Sequence, residues 1–159
     1  MKALNFTQII MIHQSVKIGQ FCIIEEGVEI GEGTVIRNYV EIRKGTKIGR
    51  NCYIDSRVSF SGQCEIGNDV TLRYGVIIAR GVKVGNESYF APRVMTNNLN
   101  TKKISIGGAK VGAKCFIGTH TVLHHGITIC DNVSVGANSF VNKTINKPAN
   151  YVGSPCREV

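Results

Sequence analysis

The sequence holds no tryptophan, only three prolines and no run of 18 apolar residues. The last absence excludes a membrane-spanning helix. The opening stretch MKALNFTQIIMIH lacks a clean apolar segment followed by a small-residue cleavage site, so no secretory leader is expected and the chain reads as cytoplasmic. In that compartment the six cysteines are expected to be reduced thiols. Neither a CxxC pair nor a Cys/His zinc spacing occurs, and no metal is expected. Acidic residues are few, 11 against 19 Lys and Arg, giving a net charge of +8. Such a surface attracts anions. The basic residues are scattered, however, with no basic helix and no aromatic set of the kind found on RNA-binding sheets. Polyphosphate small molecules therefore fit better than nucleic acid, and neither a nucleic-acid nor a membrane partner is expected. What the chain has in excess is glycine, 18 of 159 residues, which asks for a repeat rather than disorder.

The repeat has a period of six. Every sixth residue from Ile12 through Ile18, Ile24, Ile30 and onward to Phe90 is apolar, and the register resumes at Val111 and runs to Val141. With 43% of the chain hydrophobic, an unbroken series of that length is not chance. The fourth residue beyond each is small or β-branched (Val16, Cys22, Val28, Thr34 and so on to Ile145), suited to a pleated strand and a tight interior corner. Neither a helix nor simple alternation yields a strict six. A second period of 18 lies on top: Gly31, Gly49, Gly67 and Gly85, and Gly27, Gly45 and Gly81. One coil is therefore three hexapeptides, with selected corners that require a residue lacking Cβ. Residues 18 apart should stack about 4.8 Å from one another, building aliphatic ladders inside a prism. Cys22, Cys52, Cys64 and Cys115 all fall on the small interior position and are read as inert packing, whereas Cys130 and Cys156 fall elsewhere.

The expected organisation is a single domain with uninterrupted coils over 12–95, an extruded loop over 96–110, further coils over 111–146 and a tail over 147–159 that covers the last coil. The loop TNNLNTKKISIGGAK breaks the register and is polar near its start. Loops on rigid scaffolds are where function concentrates.

The [Ile/Val]-Gly-x-x-[small]-x repeat resembles the hexapeptide-repeat acyltransferases. IGTHTVLHHGITI, VGANSFVNK and VGSPCREV are similar to their C-terminal signature, and the resemblance spans Ile12 to Arg157. It implies an all-β fold, a left-handed parallel β-helix with three hexapeptides per coil, assembled as a homotrimer with acetyl-CoA in the groove between subunits. The run from HQSVKIG to FAPRVMTNN resembles the sugar-nucleotide N-acetyltransferases of bacterial surface-polysaccharide pathways, implying an amino-deoxysugar on UDP or dTDP as acceptor. IGTH and SPCR also resemble the galactoside and maltose O-acetyltransferases. The histidine those enzymes carry after the equivalent of FAPRVMT has no counterpart in Thr96-Asn97-Asn98-Leu99-Asn100.

Acyl transfer needs a base for the nucleophile's proton, donors for the oxyanion and a thioester held in line. Histidine suits the first role near neutral pH. His13 lies in the first coil and reads as structural. His120, His124 and His125 cluster beside the loop and are expected to face outward. His125 is the leading candidate for the base, because it matches the family's His-x-x-x-[Val/Ile]-Gly placement with Cys130 in place of the glycine; His120 is the second. His125 and Lys143 are 18 apart, as are His120 and Asn138. Stacking should therefore set an ammonium near His125, disfavouring a second positive charge there, and an amide near His120. The resemblance carries coenzyme A binding onto Thr119, Ala137, Asn142, Lys143 and Arg157. Gly136 and Ala137 offer backbone N–H groups for pantetheine, and Lys143 and Arg157 offer charge for phosphates. Asn97 and Asn98 on the loop, with Arg73 for a diphosphate, are the acceptor candidates.

Two rival readings exist. His120 and His125 have the His-x-x-x-x-His spacing of γ-class carbonic anhydrases, but three protein ligands are needed and no histidine lies between His13 and His120. A non-catalytic β-helix scaffold is the other, and the histidine cluster and the VGSPCREV tail speak against it.

Overall fold

The computed structural model describes residues 11–159. Residues 1–10, on which most of the leader reading rests, lie outside the described part. Each hexapeptide contributes a two-residue strand, beginning Lys17–Ile18, Ile23–Ile24 and Glu29–Ile30. These three start three sheets, here sheets I, II and III, with nine, seven and six strands. Parallel pairing joins residues 18 apart, as in Ile18↔Ile36, Ile24↔Ile42 and Ile30↔Ile48. The chain is thus an all-β parallel β-helix with three hexapeptides per coil, as the periods of six and 18 require.

Two residues per strand suffice because the pleat sends the first outward and the second inward. Ile36, Ile54, Leu72, Phe90, Ile117 and Val135 form the buried ladder of sheet I, and Ile42, Phe60, Ile78, Leu123 and Val141 that of sheet II. Each buried rung stabilises by about 1.5–3 kcal/mol relative to exposure. Ile18 is the exception, at 46% exposed, because a first-coil residue has a described neighbouring coil on one side only. The repeated glycines serve two separate needs. Gly45 adopts φ +74 at its corner, where a side chain would be strained. At Gly49 an added Cβ would sit 2.5 Å from the carbonyl oxygen of Gly67 on the next coil, so here the demand is close approach.

All six cysteines are free. Cys52, Cys64 and Cys115 are buried, and their thiols reach carbonyl oxygens of Gly67, Gly62 and Cys130 at 3.1–3.2 Å. Burial pushes all three thiols above their ordinary range, so they stay protonated. Their reading as packing holds. Cys130 stands where the glycine stack Gly85–Gly112 ends.

The excursion is shorter than the expected 96–110. Thr96 is the inward residue of the Met95–Thr96 strand and is 3% exposed. Its hydroxyl accepts from the Ala79 N–H (2.7 Å) and donates to the Ile77 carbonyl (3.1 Å), which lets a polar but β-branched side chain occupy an apolar rung. At the far end Ala109 is fully buried and Lys110–Val111 is a strand. Lys110 pairs with Lys83, 27 residues back rather than 18, so nine residues are inserted and the emergent segment is 97–108. Leu99 and Ser105 form an antiparallel bridge, and the Asn100 side chain accepts from the N–H groups of Lys102 and Ile104. The loop is therefore internally braced. At the C-terminus Tyr151 pairs with Val135, putting its ring on the interior ladder, and Arg157–Glu158 turns back antiparallel on Tyr151–Val152. Among the described residues no helix is long and apolar enough to cross a membrane.

Candidate functional site

The three edges of the prism differ in what they carry. On the edge between sheets II and III, the 27-residue step across the loop followed by an 18-residue step stacks Asn97, His124 and Asn142. The Asn97 N–H bonds the Leu123 carbonyl and the His124 N–H bonds the Val141 carbonyl, at 3.0 and 2.9 Å. His124 and His125 lie with ring centroids 3.8 Å apart, and His124 meets the Phe140 ring edge-on at 5.6 Å. The loop closes over this edge: a Cβ on Gly126 would meet Ile106 Cγ2 at 3.0 Å. The Nδ1 atom of His125 is buried and has no hydrogen-bond partner among the described residues. A buried ring nitrogen without a partner costs free energy, and with Nδ1 enclosed it is Nε2 that is left to face a ligand.

His120 occupies a different edge, between sheets I and II. It sits at a corner with φ +58, its N–H bonded to the Pro92 carbonyl at 3.1 Å. The side chain is exposed. Asn138 is stacked above it as the spacing requires, but no hydrogen bond links the two side chains, so the amide does not fix the imidazole's tautomer. The Val122–Leu123 strand separates His120 from His125, so the pair with anhydrase-like spacing is split between two edges. Among the described residues no three His, Cys, Asp or Glu side chains come together to hold a metal. His13 bonds Ser15 Oγ at 2.8 Å in the first coil, in keeping with a structural role.

The coenzyme A candidates divide in the same way. Asn142, Lys143 and Arg157 line one cleft of about 260 Å³ with Tyr151 and Cys156. Lys143 and Arg157 are exposed there, free to meet phosphate oxygens. Thr119 and Ala137 lie on the I–II edge, and the exposed Ala137 has no partner among the described residues for its N–H. Gly136 does not fit its expected role. Its N–H is spent on the Tyr151 carbonyl (2.8 Å), and a Cβ there would strike Val152 Cγ1 at 2.8 Å. The tail strand covers it, so its glycine reflects close packing. Arg73, expected to meet a diphosphate, is already engaged: Nε lies 3.3 Å from Asp55 Oδ2 and Nη1 3.4 Å from the Tyr89 hydroxyl. Asn97 and Asn98 line a hollow of about 310 Å³ on sheet II with Ile77, Met95 and Leu99. His124 was passed over in the sequence reading, although its spacing from Asn142 was available as a signal.

The model of the bacterial transferase hexapeptide (six repeats) family matches residues 10–44, 45–80 and 108–143, more than half of the chain. The chain belongs to this family. The gap between the second and third segments, 81–107, contains the emergent loop except for its last residue. The galactoside O-acetyltransferase of Escherichia coli is 41% identical over 49 residues, which is 31% of this chain and 24% of that enzyme. The chain thus spans about a quarter of that relative's length in the match. Among solved structures, the UDP-N-acetylglucosamine acyltransferase of Campylobacter jejuni superposes with a TM-score of 0.64 at 15% identity, covering 93% of this chain and 71% of that one. PerB of Caulobacter crescentus, in complex with CoA and GDP-perosamine, gives 0.58 at 18% identity over 90% of this chain and 58% of that one. The acetyltransferase domain of PglB from Neisseria gonorrhoeae, with acetyl coenzyme A, gives 0.56 at 14% over 93% and 56%. At these identities the likeness is one of fold.

Proposed function

We propose that this hexapeptide-repeat transferase is a cytoplasmic, homotrimeric acetyltransferase that moves an acetyl group from acetyl-CoA to the amine of an amino-deoxysugar linked to UDP or dTDP, for surface polysaccharide synthesis. The observation that carries the reading is the II–III edge, where the buried, unpartnered Nδ1 of His125 lies beside His124, Asn97 and the emergent loop. The neighbouring cleft of Asn142, Lys143 and Arg157 offers cationic groups for the phosphates of coenzyme A. The Ala137 N–H and Thr119 offer further polar contacts along the I–II edge.

In the reaction the neutral amine nitrogen attacks the thioester carbonyl carbon and a tetrahedral oxyanion forms. The nitrogen's proton passes to His125, the C–S bond breaks, and the proton returns to the departing thiolate. His125 acts as base by position, with His120 as the second candidate. An amine that is already deprotonated needs this help less than a hydroxyl does, so positioning by the loop carries more of the rate.

Release of coenzyme A thiol with a panel of aminosugar nucleotides tests the reading. His125→Ala should lower kcat by about 10²–10⁴-fold near neutral pH, recover part of the loss at high pH, and leave acetyl-CoA affinity unchanged. Full activity in His125→Ala together with loss in His120→Ala would move the base to the other edge. The 41% match to a galactoside O-acetyltransferase favours a second reading, O-acetylation of a sugar hydroxyl; there the high-pH recovery should be missing.

A further inference from the structure

The face of sheet I and the I–II edge together carry six basic side chains, Lys17, Arg37, Arg57, Arg73, Arg93 and Arg157, against two carboxylates, Asp55 and Glu158. Half of the chain's net charge of +8 is therefore concentrated here. Asp55 is committed to Arg73. Arg57 and Arg93 are exposed, and neither forms an ion pair among the described residues. They occupy equivalent corner positions two coils apart, about 10 Å at the strand spacing. The corner between them is Gly75, and the stem of Arg93 lies over it, with Cγ 3.5 Å from where a Cβ would be. Arg57 rests over the Tyr39 ring at 4.9 Å, which orients the guanidinium and leaves its N–H edge free. Tyr74, adjoining Gly75, is 41% exposed.

We propose that this edge is the subsite for the nucleoside diphosphate half of the acceptor, with Arg57 and Arg93 taking the two phosphates along it and the Tyr74 ring stacking on the base. It rests on the reading of the acceptor as a nucleotide-linked sugar. Both arginines lean onto the coil below, Arg57 over Tyr39 and Arg93 over Gly75, so their guanidiniums follow one another along the edge about two coils apart, a spacing that a diphosphate can bridge because it offers oxygens in both directions and accepts bidentate N–H pairs. A planar phenol beside them suits a base, since every base has a stacking face. The placement also gives the sugar a path. From Arg93 to Asn97 the chain runs four residues across sheet II, about 13 Å, past the hollow lined by Ile77, Met95, Asn97 and Leu99. A hexose leaving the Arg93 phosphate and lying in that hollow presents its distal amine to the His124–His125 edge. Arg73, held by Asp55 and Tyr89, serves as a brace for the edge.

The test is titration of UDP, dTDP and GDP into the full-length protein, followed by calorimetry or by tyrosine emission, which no tryptophan obscures. At least one nucleotide should bind. Arg57→Ser with Arg93→Ser should weaken it about 10- to 100-fold, and Tyr74→Ala about 10-fold. Acetyl-CoA, which carries a diphosphate of its own, should bind the variants as it binds the parent protein. Arg80→Ser is the charge control, and unchanged thermal unfolding shows that the variants fold. Three results would overturn the subsite: no nucleoside diphosphate binding at about 10 mM, binding indifferent to the double substitution, or a parallel loss of acetyl-CoA. Polyuridylate binding far tighter than UDP, with a steep salt dependence, would also overturn it in favour of nucleic acid. Acetyl transfer to a free aminosugar is followed alongside. Transfer without nucleotide binding sinks the subsite and spares the transferase reading; nucleotide binding without transfer to any acceptor sinks that reading instead.

Discussion

The outer row of sheet III over the lower coils and that of sheet II over the upper coils belong to the same column and carry opposite chemistry. Sheet III reads Glu29, Lys47, Glu65, Lys83, and its neighbours pair: Lys47 with Glu29 at 2.8 Å and Lys83 with Glu65 at 2.9 Å. Sheet II reads Ile77, Met95, Val122, Phe140 over its upper half, with Ile77 and Met95 substantially exposed. The first row satisfies itself in water. The second is an apolar strip bounded by the loop, the histidines and the arginine edge, and it has a use only when something lies on it. The interior ladders behind both rows are equivalent, so the difference owes nothing to folding. It separates what holds the column up from what the column offers to a partner.

Several substitutions would break or sharpen that contrast. The largest effect belongs inside: Phe60→Ala, at a fully buried rung behind sheet II, should cost about 3–5 kcal/mol in denaturant unfolding. A change near zero would mean that the ladders do not carry the stability. Next comes Met95→Asp on the outer strip. Its stability should stay within about 0.5 kcal/mol of the parent, while kcat/KM for the acceptor falls about 10-fold or more, a combination that no sheet III substitution should reproduce.

The buried thiols give a pH dependence of intermediate size. Cys52, Cys64 and Cys115 have folded-state values raised by burial above the ordinary 9.0. Their contribution is therefore complete below pH 9 and is lost as the pH climbs through the folded values, since the unfolded chain releases those protons first. The melting temperature should fall above pH 9, and Cys64→Ala should flatten the fall. The smallest effect is expected from Lys47→Ala on sheet III, a slight loss in denaturant unfolding that shrinks further in 1 M salt.

The interior was legible in the chain because its rule is local. A residue's place in a hexapeptide decides whether it points inward, and that place can be counted from Ile12 to Phe90 without knowing any distant contact. Thr96 shows the limit of counting. It holds a rung that polarity alone assigns to the loop, because its hydroxyl finds Ala79 and Ile77 on the coil below. Gly136 shows a second limit, since its covering strand comes from a tail with no hexapeptide register.

The amino-acid order alone determined the coil, its three-residue-type corners, the inert cysteines and the existence of a histidine cluster beside a break. Only the folded column decided which side chains meet there. Hydrogen bonds between coils close the ladder around the nine inserted residues, so His124 rests on Asn97, 27 positions earlier, where an 18-residue count would have chosen Ile106. The same closure sends His120 to one edge and His125 to the other, although only four residues lie between them in the chain.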